Sequence, residues 1–260
     1  MSAVAPPRSF AVQTPKREAS GPVLFARYAY PPNRLGLCGP ADAPALHDGA
    51  RVGADRELRD LARGFEGAYP YLRLIADENG LSDPLDRRVV ESYWLGGALS
   101  SRVDPGALYR NIDERFRKRM TAADWRWLGE SVGAGSRPIH AFHVLEVFPR
   151  TGLLRGGQPP IMATMDACRI RWGTLLAVHG DELVVNAPRL ELVDGVLRLG
   201  PAQPETVAGW WDESGLLGGA MPGDSVSLHW GWACDRLSPR QLDRLVAWTR
   251  AALTVANQSL

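Results

Sequence analysis

Residues 222–233 read Pro222-Gly223-Asp224-Ser225-Val226-Ser227-Leu228-His229-Trp230-Gly231-Trp232-Ala233. Pro-Gly-Asp is a turn signal, since glycine tolerates positive φ and aspartate bonds its own backbone. The run at 225–230 alternates polar and apolar residues, the period of a strand with one buried face. A helix start follows: Ser238 as N-cap, Pro239 at the first helical position and Gln241 completing a capping box. Leu242, Leu245, Val246, Thr249 and Leu253 then fall on one stripe. Upstream, further short β-branched or alternating runs occupy 170–178, 182–185, 190–193 and 196–199, parted by Gly180-Asp181 and Asp194-Gly195. That pattern predicts a small barrel, because closing a sheet removes its exposed edges.

Before residue 150 the period changes to that of helices. Asp83-Pro84 and Asp104-Pro105 each offer an N-cap with a first-turn proline. The stripes that follow are Leu85, Val89, Val90, Tyr93, Trp94 and then Leu108, Tyr109, Ile112, Phe116. Thr121 with Asp124 forms a capping-box variant ahead of Trp125 and Leu128, and Leu58, Leu61, Ala62 and Phe65 give a weaker stripe. The expected fold class is α+β: a flexible tail at 1–21, a small helical domain at 22–150, a Gly/Pro-rich linker at 151–162, and a β-barrel with a C-terminal helix at 163–260.

The 260 residues carry a formal charge of +1, which gives no bulk attraction to nucleic acid or anionic membrane. Arg87-Arg88 and 115–119 read as solvated helix faces. Three cysteines in such a chain are not a disulfide framework. No apolar run approaches the roughly 18–20 residues of a membrane helix, and 1–20 lacks the apolar core of a secretory signal. A reduced, cytoplasmic protein is expected. Lys16 and Lys118 are the only lysines, an arginine bias that points to a GC-rich genome.

No phosphate loop, dinucleotide fingerprint, nucleophile elbow or His-Glu-x-x-His pair is present. What remains is a set of soft or titratable ligands: Cys38, Cys168, Cys234, His47, His140, His143, His179 and His229. Thiolate and imidazole suit iron, zinc or copper rather than magnesium or calcium. None forms a Cys-x-x-Cys pair, so the fold must bring ligands together. Cys168 precedes the first predicted barrel strand and His229 ends a later one, which puts both at one rim if the barrel closes. The bland alternative is a small buried thiol and a hydrogen-bonded rim imidazole. Cys38, His140 and His143 make a second candidate site, His140 and His143 sharing one face if they lie on a helix. An enzyme reading would use Cys38 with either histidine as nucleophile and base. An interaction-module reading would use Trp210, Trp211, Trp230 and Trp232 as apolar anchors.

Two blocks resemble the HypC/HupF family of nickel–iron hydrogenase maturation chaperones. In the first, Cys168 is followed five residues later by Gly173 and then by Thr174-Leu175-Leu176-Ala177-Val178-His179-Gly180-Asp181. The second is similar to the family pattern Gly-Asp-x-Val-x-x-His-x-Gly-aromatic-Ala, here 223–233. The resemblance covers about 165–252 and implies an OB-like barrel. It also implies that Cys168 and His229 hold an iron atom bearing cyanide and carbon monoxide, received with a HypD-like scaffold protein and passed to a hydrogenase large-subunit precursor. The chain would then be a non-enzymatic assembly factor. In the family the cysteine follows the initiator methionine, whereas here it is internal, and Trp172 stands where a proline is usual. The N-terminal half is similar to uncharacterised actinobacterial proteins that accompany hydrogenase operons, on the strength of 25–33 and Cys38-Gly39-Pro40.

Overall fold

The helix on which both halves pack is the one without a polar face. Helix α1 (Gly21–Asn33) runs through the interior with nearly every residue buried, as a helix apolar all round must. Ser20 caps it at the Val23 N–H and Pro22 sits in its first turn. Gly21 is required sterically: a Cβ there would lie 1.8 Å from the Leu85 carbonyl oxygen. The computed structural model describes residues 18–151, 161–212 and 215–259. The predicted tail of 1–21 therefore ends earlier where it is described, since Ser20 and Gly21 already belong to α1. Most of the expected linker, 152–160, lies outside the described residues, and its last two positions open a helix.

After α1 come α2 (Ala43–Val52), α3 (Asp55–Arg63), α4 (Tyr69–Glu78), α5 (Arg87–Leu95), α6 (Ala98–Ser101), α7 (Pro105–Phe116) and α8 (Ala122–Ala134). Then α9 (His140–Phe142) runs directly into a π-turn at His143–Val147. Helix α10 (Ile161–Cys168) leads into the sheet, and α11 (Pro239–Ala256) closes the chain. The expected caps at Asp104, Thr121 and Ser238 are all made. Asp83-Pro84 is a correction. Helix α5 starts at Arg87 under an Asp86 cap, while Asp83 accepts from the Leu85 N–H and from Arg59. The stripe from Leu85 to Trp94 is buried as expected.

The strands are β1 (Arg171–His179), β2 (Glu182–Val193), β3 (Val196–Gly209), β4 (Trp211–Asp212), β5 (Gly215–Leu216), β6 (Ser225–His229) and β7 (Trp232–Leu237). Five of them pair in the closed order β1-β2-β3-β7-β6, while β4 and β5 form a separate ribbon. The runs at 182–185 and 190–193 are one strand, broken in register between Pro188 and Leu190. Asp194 and Gly195, both at positive φ, make the tight turn the sequence announced. Gly173 is needed because a Cβ would meet Val185 Cγ1 at 2.3 Å across β1 and β2.

The fold is thus α+β, with helices, then a five-stranded sheet, then a terminal helix. The change of element type near residue 160 is not a break in packing. One continuous apolar core holds Phe25, Tyr93 and Phe142 together with Leu175, Val226 and Leu245. Polar ties cross the same boundary. The Arg27 guanidinium pairs with Asp235 at 3.2 Å, Tyr28 Oη lies 2.8 Å from Ser227 Oγ, and Trp210 Nε1 donates to the Arg27 carbonyl.

Candidate metal centre

Cys168 is the last residue of α10, and two contacts set its position. The Asp166 carboxylate accepts from the buried Arg169 guanidinium and from the Leu190 N–H, which pins the end of α10 to β2. The Ala167 carbonyl accepts from the Trp230 N–H at 2.9 Å. That bond brings the β6–β7 turn against α10 and sets His229, the last residue of β6, beside Cys168. Trp230 holds φ at +50°, a left-handed conformation that a bulky side chain occupies only when its surroundings impose it.

The third member of the cluster comes from the other half of the chain. His140, on the first turn of α9, puts its Nε2 3.9 Å from Cys168 Sγ and 2.8 Å from the Cys168 carbonyl oxygen. Ligand atoms of His140, Cys168 and His229 all lie within 4.8 Å of one another. The two imidazole rings meet edge to face at 5.2 Å between centroids, and Trp94 packs on both, at 4.7 Å and 5.9 Å. Both histidines are buried, and Cys168 is half-buried.

Hydrogen bonds orient both rings. His229 Nδ1 donates to the Tyr28 carbonyl at 2.7 Å, so its Nε2 carries the lone pair. That Nε2 is buried without a well-formed hydrogen bond. His140 Nδ1 lies 3.1 Å from Tyr93 Oη. A ring nitrogen held by a carbonyl or hydroxyl while the other points at a shared centre is how metal-ligating histidines are built.

Electrostatics leave the cluster uncharged at neutral pH. Burial pulls His140 down to about 4, the Cys168 carbonyl acting the other way. His229 falls to about 3 through burial first and the neighbouring His140 second. Burial pushes the Cys168 thiol up to about 12, opposed by the Trp230 side chain. Two neutral imidazoles and a thiol are ready for a soft or borderline divalent metal, which needs one proton displaced from sulfur.

The second site expected from the sequence does not assemble. His143 turns away from the cluster and lies 3.3 Å from Tyr71 Oη. Cys38 is in an exposed loop whose carbonyl accepts from Asn33, and surrounding protein, with Cys168 near by, pushes its thiol up to about 12. The tryptophan anchors are also redistributed. Trp210 is a core residue at 4% exposure, Trp230 and Trp232 are half-buried, and the Trp211 side chain lies outside the described residues. Sequence reasoning named Cys168, His229 and His140 but assigned His140 to the wrong partners. It missed Tyr28 and Tyr93, which orient the rings and give no signal in sequence spacing.

Among the described residues no helix is long and apolar enough to cross a membrane. No curated protein and no solved structure matches the chain. Residues 17–260 match DUF6390, a family of unknown function, and the chain belongs to that family.

Proposed function

We propose that this member of a family without an assigned activity is a non-enzymatic assembly factor that carries a metal fragment for a nickel–iron hydrogenase. Its cargo is an iron atom bearing cyanide and carbon monoxide, taken up on the Cys168 thiolate and the His229 imidazole. One observation carries the reading: residues 61 positions apart, each at its place in a HypC-like block, converge with their ligand atoms within 4.8 Å. The chemistry fits, since a thiolate is soft and imidazole accepts ferrous iron. Cys168 is the half-buried member, so cargo enters and leaves on its side while the histidines hold from within. A carrier must release what it binds, and a site short of four protein ligands favours transfer.

In this reading the barrel is the HypC-like, OB-like module and the helical half recognises the partner, a hydrogenase large-subunit precursor or a HypD-like scaffold, in the cytoplasm. No nucleic acid or membrane takes part. The test is anaerobic purification after co-expression with the hydrogenase genes, followed by infrared spectroscopy in the cyanide and carbonyl stretching region. Bands lost in Cys168→Ala, with loss of hydrogenase maturation in that strain, are expected. A wild-type protein without such bands, beside full hydrogenase activity in the Cys168→Ala strain, overturns the proposal.

A further inference from the structure

The two-ligand reading leaves His140 unused, yet its Nε2 is the nitrogen found 3.9 Å from the sulfur. We infer that His140, Cys168 and His229 together form a mononuclear site for a divalent transition-metal ion, with the fourth position left to a small exogenous anion. The inference deepens the proposed function by naming the ligand set, and it rests on that reading only for the identity of the cargo.

Three observations carry it. First, the two imidazoles converge from different halves of the chain, one on α9 and one at the end of β6, upon a single thiol. Second, each ring has its Nδ1 engaged, by Tyr93 Oη and by the Tyr28 carbonyl, which leaves His229 Nε2 facing the centre and His140 Nε2 on the Cys168 carbonyl beside it. His229 Nε2 is buried without a well-formed hydrogen bond, the Cys168 carbonyl being the polar group that faces it. A metal supplies what it lacks. Third, the spacing is close to what one ion demands. Ligand bonds of about 2.0–2.3 Å put donor atoms roughly 3.5 Å apart, so an inward shift of less than about 1 Å per group brings them to bonding distance.

The charge balance fixes the fourth ligand's class. A divalent ion with one thiolate and two neutral imidazoles carries a net +1 among Trp94 and the two rings, and the cluster holds no carboxylate. An uncompensated charge in an apolar setting is costly. A hydroxide, an azide or a similar small anion entering on the half-buried Cys168 side neutralises it. On loading, the Cys168 thiol proton leaves to solvent. His140 Nε2, which donates to the Cys168 carbonyl in the metal-free site, gives up its proton as Nδ1 takes one and donates to Tyr93 Oη.

The test uses the full-length protein loaded with zinc or cobalt. X-ray absorption at the zinc edge is expected to show one sulfur and two imidazole nitrogens in the first shell. The cobalt form should show a thiolate charge-transfer band and tetrahedral d–d bands that shift on adding azide. His140→Ala should weaken zinc binding by at least ~100-fold and Tyr93→Phe by about 10-fold, the usual scale for an outer-shell partner. His143→Gln should leave affinity unchanged. A shell without sulfur, a single imidazole, or cobalt bands indifferent to azide overturns the inference, as does unchanged affinity in a folded His140→Ala protein. Should that variant not fold, the wild-type absorption spectrum decides alone. None of these readouts depends on cyanide or carbonyl bands, so the ligand set and the hydrogenase reading stand or fall separately.

Discussion

Metal affinity should rise tenfold per pH unit, and the slope should stay at one well into the acid range. The perturbation is pH alone. In the metal-free protein burial holds the Cys168 thiol at about 12, so every ion bound at neutral pH displaces one proton from sulfur. The histidines contribute none, because burial has brought His140 to about 4 and His229 to about 3. From pH 6 to pH 8 the dissociation constant should fall about 100-fold, or about 2.7 kcal/mol at 1.36 kcal/mol per unit. The informative window is pH 5 to 6.5. Solvent-exposed histidines titrate near 6.5, and two of them as ligands would steepen the slope toward three there. Buried ones keep it at one. Competition against a chromophoric chelator, with proton release counted in weak buffer, measures both quantities. A slope that steepens below pH 6.5 would refute the claim that the imidazoles are pre-deprotonated, and a slope of two at neutral pH would mean a second proton released, from a metal-bound water turned hydroxide (abolished by saturating azide) or from a second thiol. A flat profile would remove Cys168 from the ligand set.

The same depressed histidines predict acid lability of the metal-free fold. The unfolded chain takes up protons near pH 6.5 and the folded one only near 4 and 3, so stability present above pH 6.5 is lost as pH falls. By pH 5 each imidazole costs about 2 kcal/mol, and denaturant titrations at pH 7 and pH 5 that agree would contradict this. Glu146 runs the other way. Burial on the π-turn raises its carboxyl to about 7, against hydrogen bonds from Ser136 and Ser131. Glu146→Gln should therefore stabilise by about 2–3 kcal/mol at pH 8 and by little at pH 4, and a lower Tm at pH 8 would sink the argument. Gly173→Ala drives a methyl group into Val185 and Ala187 and should cost about 1–3 kcal/mol, read as a shifted urea midpoint at unchanged slope.

The sequence carried the fold where local chemistry is explicit. Capping boxes at Thr121 and Ser238, and turns at Gly180-Asp181 and Asp194-Gly195, are set by residues within four positions of each other, and each appears where expected. Strand β7 was not read because Trp232–Leu237 is buried on both sides, the second side by α1, and so shows no alternation. Helix α1 hid for the same reason, being apolar around its whole circumference and ending in Pro31-Pro32. Of the site, Cys168 and His229 were legible through the blocks that hold them. His140 was visible only as a candidate, because its pairing with a thiol 28 residues away depends on how α9 seats against α5 and α11. Such a contact is made by packing between elements and leaves no spacing to read.

Why the centre lies where it does follows from that packing. Its donors come from three elements, and each is tied down by a group from a different one: His229 by α1, His140 by α5, and Cys168, through Ala167, by the β6–β7 turn. A site assembled in this way needs both halves of the chain in register, and the shared core and the Arg27–Asp235 pair supply that register independently of any metal. The strain at Trp230 fits the same scheme. Left-handed backbone at a non-glycine residue costs of order 1–3 kcal/mol, and glycine would occupy the position with less strain. The indole of this residue opposes burial at the Cys168 thiol, and its backbone N–H anchors the turn to α10. The strained residue thus both places the imidazole and tempers the sulfur. Trp230 and Gly231, both at positive φ, make the same two-residue turn as Asp194 and Gly195, so what sets this turn apart is the bulky residue at its first position beside two ligand residues.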